Sequence, residues 1–230
     1  MVEIRTPIPN CFASEGLYRQ VVGYRRYIIG ADLGTLQDPT AISIIEDLLV
    51  PAPRYGKGFV QEFEPRRQTL VQAFRLKVGL DWPVIVATIK KVKDQIPDSS
   101  LWVDTSGIGQ PVGAMLREKG VVYTGVTITA GDTFKKVDHV TYRCSKSYLI
   151  SFLSTLFQSG ELRIAEGIKD AKAFRQQVED FQAMTTPSGN LSFGTRDGRH
   201  DDLLLSSAIA AFGVAQSQTS TFKSSALNWG

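Results

Sequence analysis

Two cysteines in 230 residues, Cys11 and Cys144, are too few and too far apart for a disulfide framework or a cysteine-based zinc site. A chain so poor in cysteine suits a reducing compartment. The opening residues, MVEIRTPIPN, lack the basic-then-apolar order of a secretory signal, and the most apolar late stretch, LLLSSAIAAFGVA, is too short to cross a bilayer. A soluble cytoplasmic protein with no membrane partner is expected. There is no G-x-x-x-x-G-K-[ST] phosphate loop, no zinc-finger or homeodomain pattern and no internal repeat. Charge of one sign is also in short supply: 26 basic against 23 acidic residues leave a formal net charge of +3, which favours a polyanionic partner only weakly. Local clustering of charge therefore matters more than the total.

The sequence is well supplied with apolar residues, at 43%, enough for the core of one large domain. YIIGAD and TAISIIED are β-rich runs separated by the turn formers of LGTLQDP, which predicts a hairpin. VPAPRYGKG reads as a loop, and FVQEFEP and TLVQAFRLKV as a third strand. Ile85, Ile89, Val92 and Ile96 recur at helical spacing behind Asp81 and Pro83. SSLWVD is a strand, Val112, Met115 and Leu116 mark a short helix closed by Gly120, and VVYTGVTIT is the next strand. Residues 130 to 144 show no strong period and read as a polar loop or irregular hairpin. A helix follows from Leu149 to Phe157, then the short strand LRIA and a helix lined by Ala171, Phe174, Val178 and Phe181. MTTPSGNLSFG predicts a hairpin, and HDDLLLSSAIAAFG a last helix with Leu205, Ala208, Ile209 and Phe212 on one face. Strands first, then alternating helices and strands, predict an α/β fold, a mixed central sheet flanked by helices over residues 24–215. Residues 1–23 read as a lead-in or linker remnant, and the Ser/Thr-rich residues 216–230 as a disordered tail.

Asp32 ends the first apolar strand and Asp104 ends LWVD, each followed closely by glycine, while Asp201 and Asp202 open the last helix. Taken singly, each has a plain alternative as a turn opener or a helix cap. Together, at the carboxyl edge of an apolar sheet, unpaired carboxylates are expensive unless something cationic sits among them. Oxygen-only ligands favour Mg²⁺ or Mn²⁺ over zinc, and two such ions bridged by a carboxylate would activate water against a phosphodiester. One acid of the pair at 201 and 202 can ligate while the other caps the helix, and the sequence leaves the assignment open. GADLGT also fits the G-x-D-x-G-T of actin-like and heat-shock ATPases, but the second glycine-rich phosphate motif those enzymes need is missing.

GADLGTLQDPTAISIIE, LWVDTSGIG and HDDLLLSSAIA, in that order and spacing, resemble the nuclease domain of large terminase subunits of tailed phages, over roughly residues 24–213. The resemblance implies a ribonuclease H-like fold and a metal-dependent endonuclease that cuts concatemeric phage DNA during packaging in the host cytoplasm. It implies that Asp32, Asp104 and the Asp201–Asp202 pair are the metal-binding catalytic acids, with Asp38 in QDPTA a possible helper or simply a turn former. It also implies double-stranded DNA, a packaging ATPase domain, the small terminase subunit and the portal as partners. Large terminases carry an N-terminal ATPase that this sequence lacks, so an excised domain or a separately encoded half, without motor activity, is expected. The alternatives are another ribonuclease H-like nuclease, such as a junction resolvase, and a noncatalytic DNA-binding module.

Lys135, Lys136, Arg143 and Lys146 crowd between the second acid and the long helix, and Arg196 and Arg199 precede the last acids. Cations of this kind grip phosphate without reading sequence. Lys146, opening a helix, is the candidate cation nearest the acids. His200 is a candidate proton donor or, more plainly, a helix-entry hydrogen bonder.

Overall fold

The computed structural model describes residues 2–6, 21–34, 37–55, 61–107, 109–185, 191–195 and 201–217. In chain order the strands are β1 (Val2–Thr6), β2 (Val21–Asp32), β3 (Ala41–Leu49), β4 (Pro51–Tyr55), β5 (Gln61–Phe63), β6 (Arg67–Arg75), β7 (Ser100–Asp104), β8 (Thr124–Thr129), β9 (Phe134–Lys136), β10 (Thr141–Ser145), β11 (Leu162–Ile164), β12 (Phe181–Thr185) and β13 (Leu191–Thr195). The helices are α1 (Trp82–Gln95), α2 (Gly109–Glu118), α3 (Lys146–Gln158), α4 (Ala171–Asp180) and α5 (Asp202–Gln216).

Nine strands form one mixed sheet in the order β11-β6-β3-β2-β7-β8-β10-β9, with β1 paired antiparallel to the start of β2. β2 and β3 pair antiparallel from Tyr24↔Leu49 to Asp32↔Ala41, the hairpin the turn residues predict. β7, β8 and β10 add in parallel to β2, and β6 runs antiparallel to β3, so β2, β6, β7, β8 and β10 all finish at one edge of the sheet.

Period-two alternation divides the side chains into two layers. Ile29, Ala31, Leu101 and Val103 face α1 and α2, whereas Ile28, Trp102, Tyr142 and Cys144 face α3, α4 and α5. The second layer centres on α5. Its Phe212 stands edge-on to Trp102 and Tyr142, with ring centroids 5.9 and 5.4 Å away. Gly30 is what lets this helix lie on β2: a Cβ there would stand 2.1 Å from the Ser206 carbonyl oxygen and 2.6 Å from the Ala210 amide nitrogen. Ser43 Oγ of β3 bonds Ser206 and Ser207 Oγ at 2.7 and 2.9 Å, so the hydroxyls brought into the core by close packing are satisfied there.

Three sequence expectations change in detail. The Pro- and Gly-rich stretch expected as a loop supplies β4, paired with β5 in a separate two-stranded ribbon, a setting in which proline is tolerated because outward N–H groups are not needed. At 130–144 the irregular hairpin, one of the two readings of that stretch, is present as β9 and β10, and the difference is that β10 also extends the main sheet beside β8. The last helix is buried on every side from Leu203 to Val214 rather than along one face. The turn of the β12–β13 hairpin and the expected tail from residue 218 on lie outside the described residues.

Candidate active site

Alternation that puts Ile28 and Gly30 on the α5 side of the sheet puts Asp32 there too, at the last position of β2. Asp104 follows Trp102 by two residues and ends β7 on the same side. The parallel ladder pairs Ala31 with Val103, so the two acids emerge side by side from adjacent strands. α5, drawn down by Gly30, brings its first turn to the same edge. Lys146 opens α3 directly after β10, and its Nζ lies 2.5 Å from Asp201 Oδ2. Asp32, Asp104 and Asp201 thus gather about one ammonium at the carboxyl end of the sheet, where open α/β folds place their sites, with Asp202 beside them.

This proximity has an electrostatic consequence. Burial pushes the Asp32 carboxyl well up from the usual range, the charges of Asp104, Asp201 and Asp202 push it further, and Lys146 opposes them. Burial also raises Asp104, against the Ser106 hydrogen bonds and Lys146. The Ser106 N–H donates to Asp104 Oδ1 at 2.7 Å and its hydroxyl accepts from the Ile128 N–H at 2.7 Å, so the turn after β7 fixes the carboxylate.

The neighbouring acids on α5 are not equivalent. Asp201 occupies the N-cap position but makes no side-chain cap bond, leaving its carboxylate to Lys146. Asp202 turns the other way: Oδ2 accepts from Arg75 Nε at 2.6 Å and Oδ1 from Gln177 Nε2 at 2.7 Å. Gln177 Oε1 in turn accepts the Leu204 N–H at 2.9 Å, tying α4 to the start of α5. Ser106, Arg75 and Gln177 were not candidates from sequence. Arg75 lies far from every candidate acid in sequence and reaches the site only through the sheet register, in which Asp32 pairs Ala41 and Ala41 pairs Arg75.

Among the described residues no three Asp, Glu, His or Cys side chains close on one point as metal ligands do. Asp201 and Asp202 are drawn to their cationic partners instead. The donor set nonetheless fits a hard divalent cation: the carboxylates are oxygen donors, and with all four ionised they exceed Lys146 and Arg75 by two negative charges.

Lys135 and Arg143 are directly opposed on β9 and β10, both exposed, and have no acidic partner among the described residues. Lys136 points to the other face, with Nζ 5.5 Å from the centre of the Tyr142 ring. Asp38 is exposed in the loop after Asp32, and Arg196, Arg199 and His200 lie outside the described residues. Cys144 is a buried thiol pushed up to about 12, hence inert. No helix of the described residues is long and apolar enough to cross a membrane.

No protein-family model matches the chain. Among curated proteins it is 24% identical over 184 residues to the large terminase subunit of Thermus phage G20c, an alignment covering 80% of this chain and 31% of that protein. The chain therefore spans about a third of the length of its curated relatives. Among solved structures, the large terminase nuclease of phage G20c with bound magnesium superposes with a TM-score of 0.58 at 24% identity, covering 82% of this chain and 81% of that one. A mutant nuclease domain of the large terminase subunit of bacterial virus Sf6, with manganese, gives 0.51 at 12% identity over 81% and 87% of the two chains. Over most of its length the chain is similar to the nuclease domains of phage large terminase subunits, and it shares their ribonuclease H-like fold.

Proposed function

We propose that this chain is a metal-dependent DNA endonuclease that cuts concatemeric viral DNA during genome packaging. The observation that carries the reading is the meeting of Asp32, Asp104 and Asp201 with Lys146 at the carboxyl end of β2 and β7. The magnesium and manganese of the similar nuclease domains support it from outside the chain. Asp32, Asp104 and Asp201 are the residues to hold the ion, since Asp202 has both oxygens engaged.

A bound divalent ion supplies a hydroxide-like water at neutral pH and stabilises charge on the phosphoryl oxygens. The chain supplies the rest. β2 and β7 hold two carboxylates rigidly, the Ser106 turn fixes the rotamer of Asp104, and Lys146 limits the repulsion among the acids before DNA arrives. The excess of two negative charges matches one divalent ion. A second, as expected for the two-ion mechanism, is best accommodated when a DNA phosphate brings further negative charge.

By the same reading the substrate is double-stranded DNA, and a packaging ATPase domain, the small terminase subunit and the portal are partners. Like charges directly opposed across a ladder, as at Lys135 and Arg143, are unfavourable until an anion joins them. With Lys136, Lys146, Arg196 and Arg199 they are the proposed phosphate contacts.

The test is cleavage of linear duplex and of four-way-junction DNA in Mg²⁺, Mn²⁺ and EDTA, beside Asp104→Asn. The expected result is metal-dependent cutting of linear duplex, reduced more than about 100-fold in the variant, because even outer-shell partners of a metal site are worth 10–100-fold. Cutting confined to the junction would favour a resolvase, and DNA binding without any cutting a noncatalytic module.

A further inference from the structure

Arg75 ends β6 on the same row of the sheet as Asp32, and the cleavage chemistry above makes no use of it. It is held at two points. Its N–H donates to Asp170 Oδ2 at 2.7 Å, and its Nε donates to Asp202 Oδ2 at 2.6 Å. Asp202 is itself immobilised: its side chain is 7% exposed, and its other oxygen is bound by the buried amide of Gln177.

This is more support than a neutralising partner for Asp202 requires. An arginine whose task is to cancel a carboxylate gains most by the two-pronged geometry, in which two N–H groups meet two oxygens. Here Gln177 takes the second oxygen and only Nε of Arg75 is spent on the pair. The Arg75 side chain remains 28% exposed, and its terminal nitrogens find no acceptor among the described residues. The result is a planar donor edge, fixed in orientation, presented beside the acids at the end of the sheet. Such an edge matches the oxygens of a phosphate group.

We propose that Arg75 grips a backbone phosphate of the DNA at this site, with Asp202 as the positioning residue that aims it. The inference rests on the nuclease reading for the identity of the polyanion, and it gives the two α5 acids separate tasks. Asp201 faces the metal, whereas Asp202 serves the substrate through Arg75.

The test is the salt dependence of binding to a fluorescent linear duplex in Ca²⁺, for the native chain, Arg75→Gln and Arg75→Lys, with melting curves and Mn²⁺ calorimetry on each. Arg75→Gln is expected to reduce the slope of log affinity against log salt by about 0.9, the loss of one phosphate contact. It should weaken binding about tenfold at fixed salt, as for one charged hydrogen bond, while a saturable Mn²⁺ site is retained. Arg75→Lys should recover the slope but not all of the affinity. A folded Arg75→Gln with the native slope overturns the proposal, as does a native chain with no affinity for duplex in Ca²⁺. Should Arg75→Gln not fold, Arg75→Met combined with Asp202→Leu replaces the buried pair by apolar groups, and a native slope in that double variant overturns the proposal equally. Since binding is read without cutting, a native chain that binds but never cleaves would contradict the nuclease reading while leaving Arg75 to be judged on its slope.

Discussion

Asp32 concentrates the electrostatic conflict of this molecule. Its folded carboxyl is raised, by burial first and by the other three acids next, so folding shifts it toward the neutral form relative to the unfolded chain. In the unfolded chain it titrates near the ordinary value of about 3.9. The stability it contributes is therefore present below about pH 4 and is lost as pH rises through the folded value. Asp32→Asn removes that loss. Without metal the variant should melt above the native chain at pH 7, with the difference shrinking as pH falls toward 4. Melting curves in EDTA across that range check this, and a variant that melts lower at pH 7 would refute it. A divalent cation should reverse the order by stabilising the native chain alone. Beside Asp32, the pair at 201 and 202 shows why adjacent identical residues need a structure to separate them. Their directions differ by about 100° around the helix, and sequence does not tell which direction meets Lys146 and which meets Arg75.

At the level of elements, the site depends on α5 lying close against β2, and Gly30 is the contact that allows it. Gly30→Ala would drive a methyl into backbone atoms of Ser206 and Ala210, which have no flexible end to move aside. Overpacking of this kind costs about 1–3 kcal/mol, and each kcal/mol lowers the melting temperature of a chain this size by about 2–4 °C. The melt measures that, and a Gly30→Ala chain as stable as the native one would refute the tight contact. Much of this framework was legible in sequence. The β2–β3 hairpin shows in two apolar runs around turn residues, and α1 and α3 in their helical periods, because each signal is local. The strand-end positions of Asp32 and Asp104 were readable because an acid ending an apolar run is locally anomalous. Arg75 and Gln177 were not, since their meaning comes from the β6–β3–β2 register and from α4 packing on α5. The hairpin at 130–144 was one reading of that stretch, but the place of β10 in the main sheet was not, because Tyr142 and Cys144 alternate with Arg143 over only five residues and parallel pairing to β8 leaves no local signal.

Across the whole molecule, α5 is fastened at both ends of the sheet by ions. At the site end Asp202 meets Arg75. At the far end the fully buried Asp47 carboxylate accepts from Arg26 Nε at 2.6 Å and Arg66 Nε at 2.7 Å, while Arg26 also donates to the carbonyls of Val214 and Ser217 at the close of α5. Removing Asp47 would leave two guanidinium groups without their anion. Breaking a buried pair from one side costs about 3–5 kcal/mol, so Asp47→Ala should lower the melting temperature more than Gly30→Ala does, and an unchanged melt would contradict the clamp. The two ends differ in one respect. The far end has two cations for one acid, whereas the site end has two cations for four. That imbalance is the physical basis for the proposed divalent ion at the carboxyl edge, and calorimetric titration of Mn²⁺ into the native chain and Asp104→Asn reads it directly. The account predicts a saturable site in the native chain, weakened more than about 100-fold in the variant. Equal affinity in both, or none in the native chain, would contradict it.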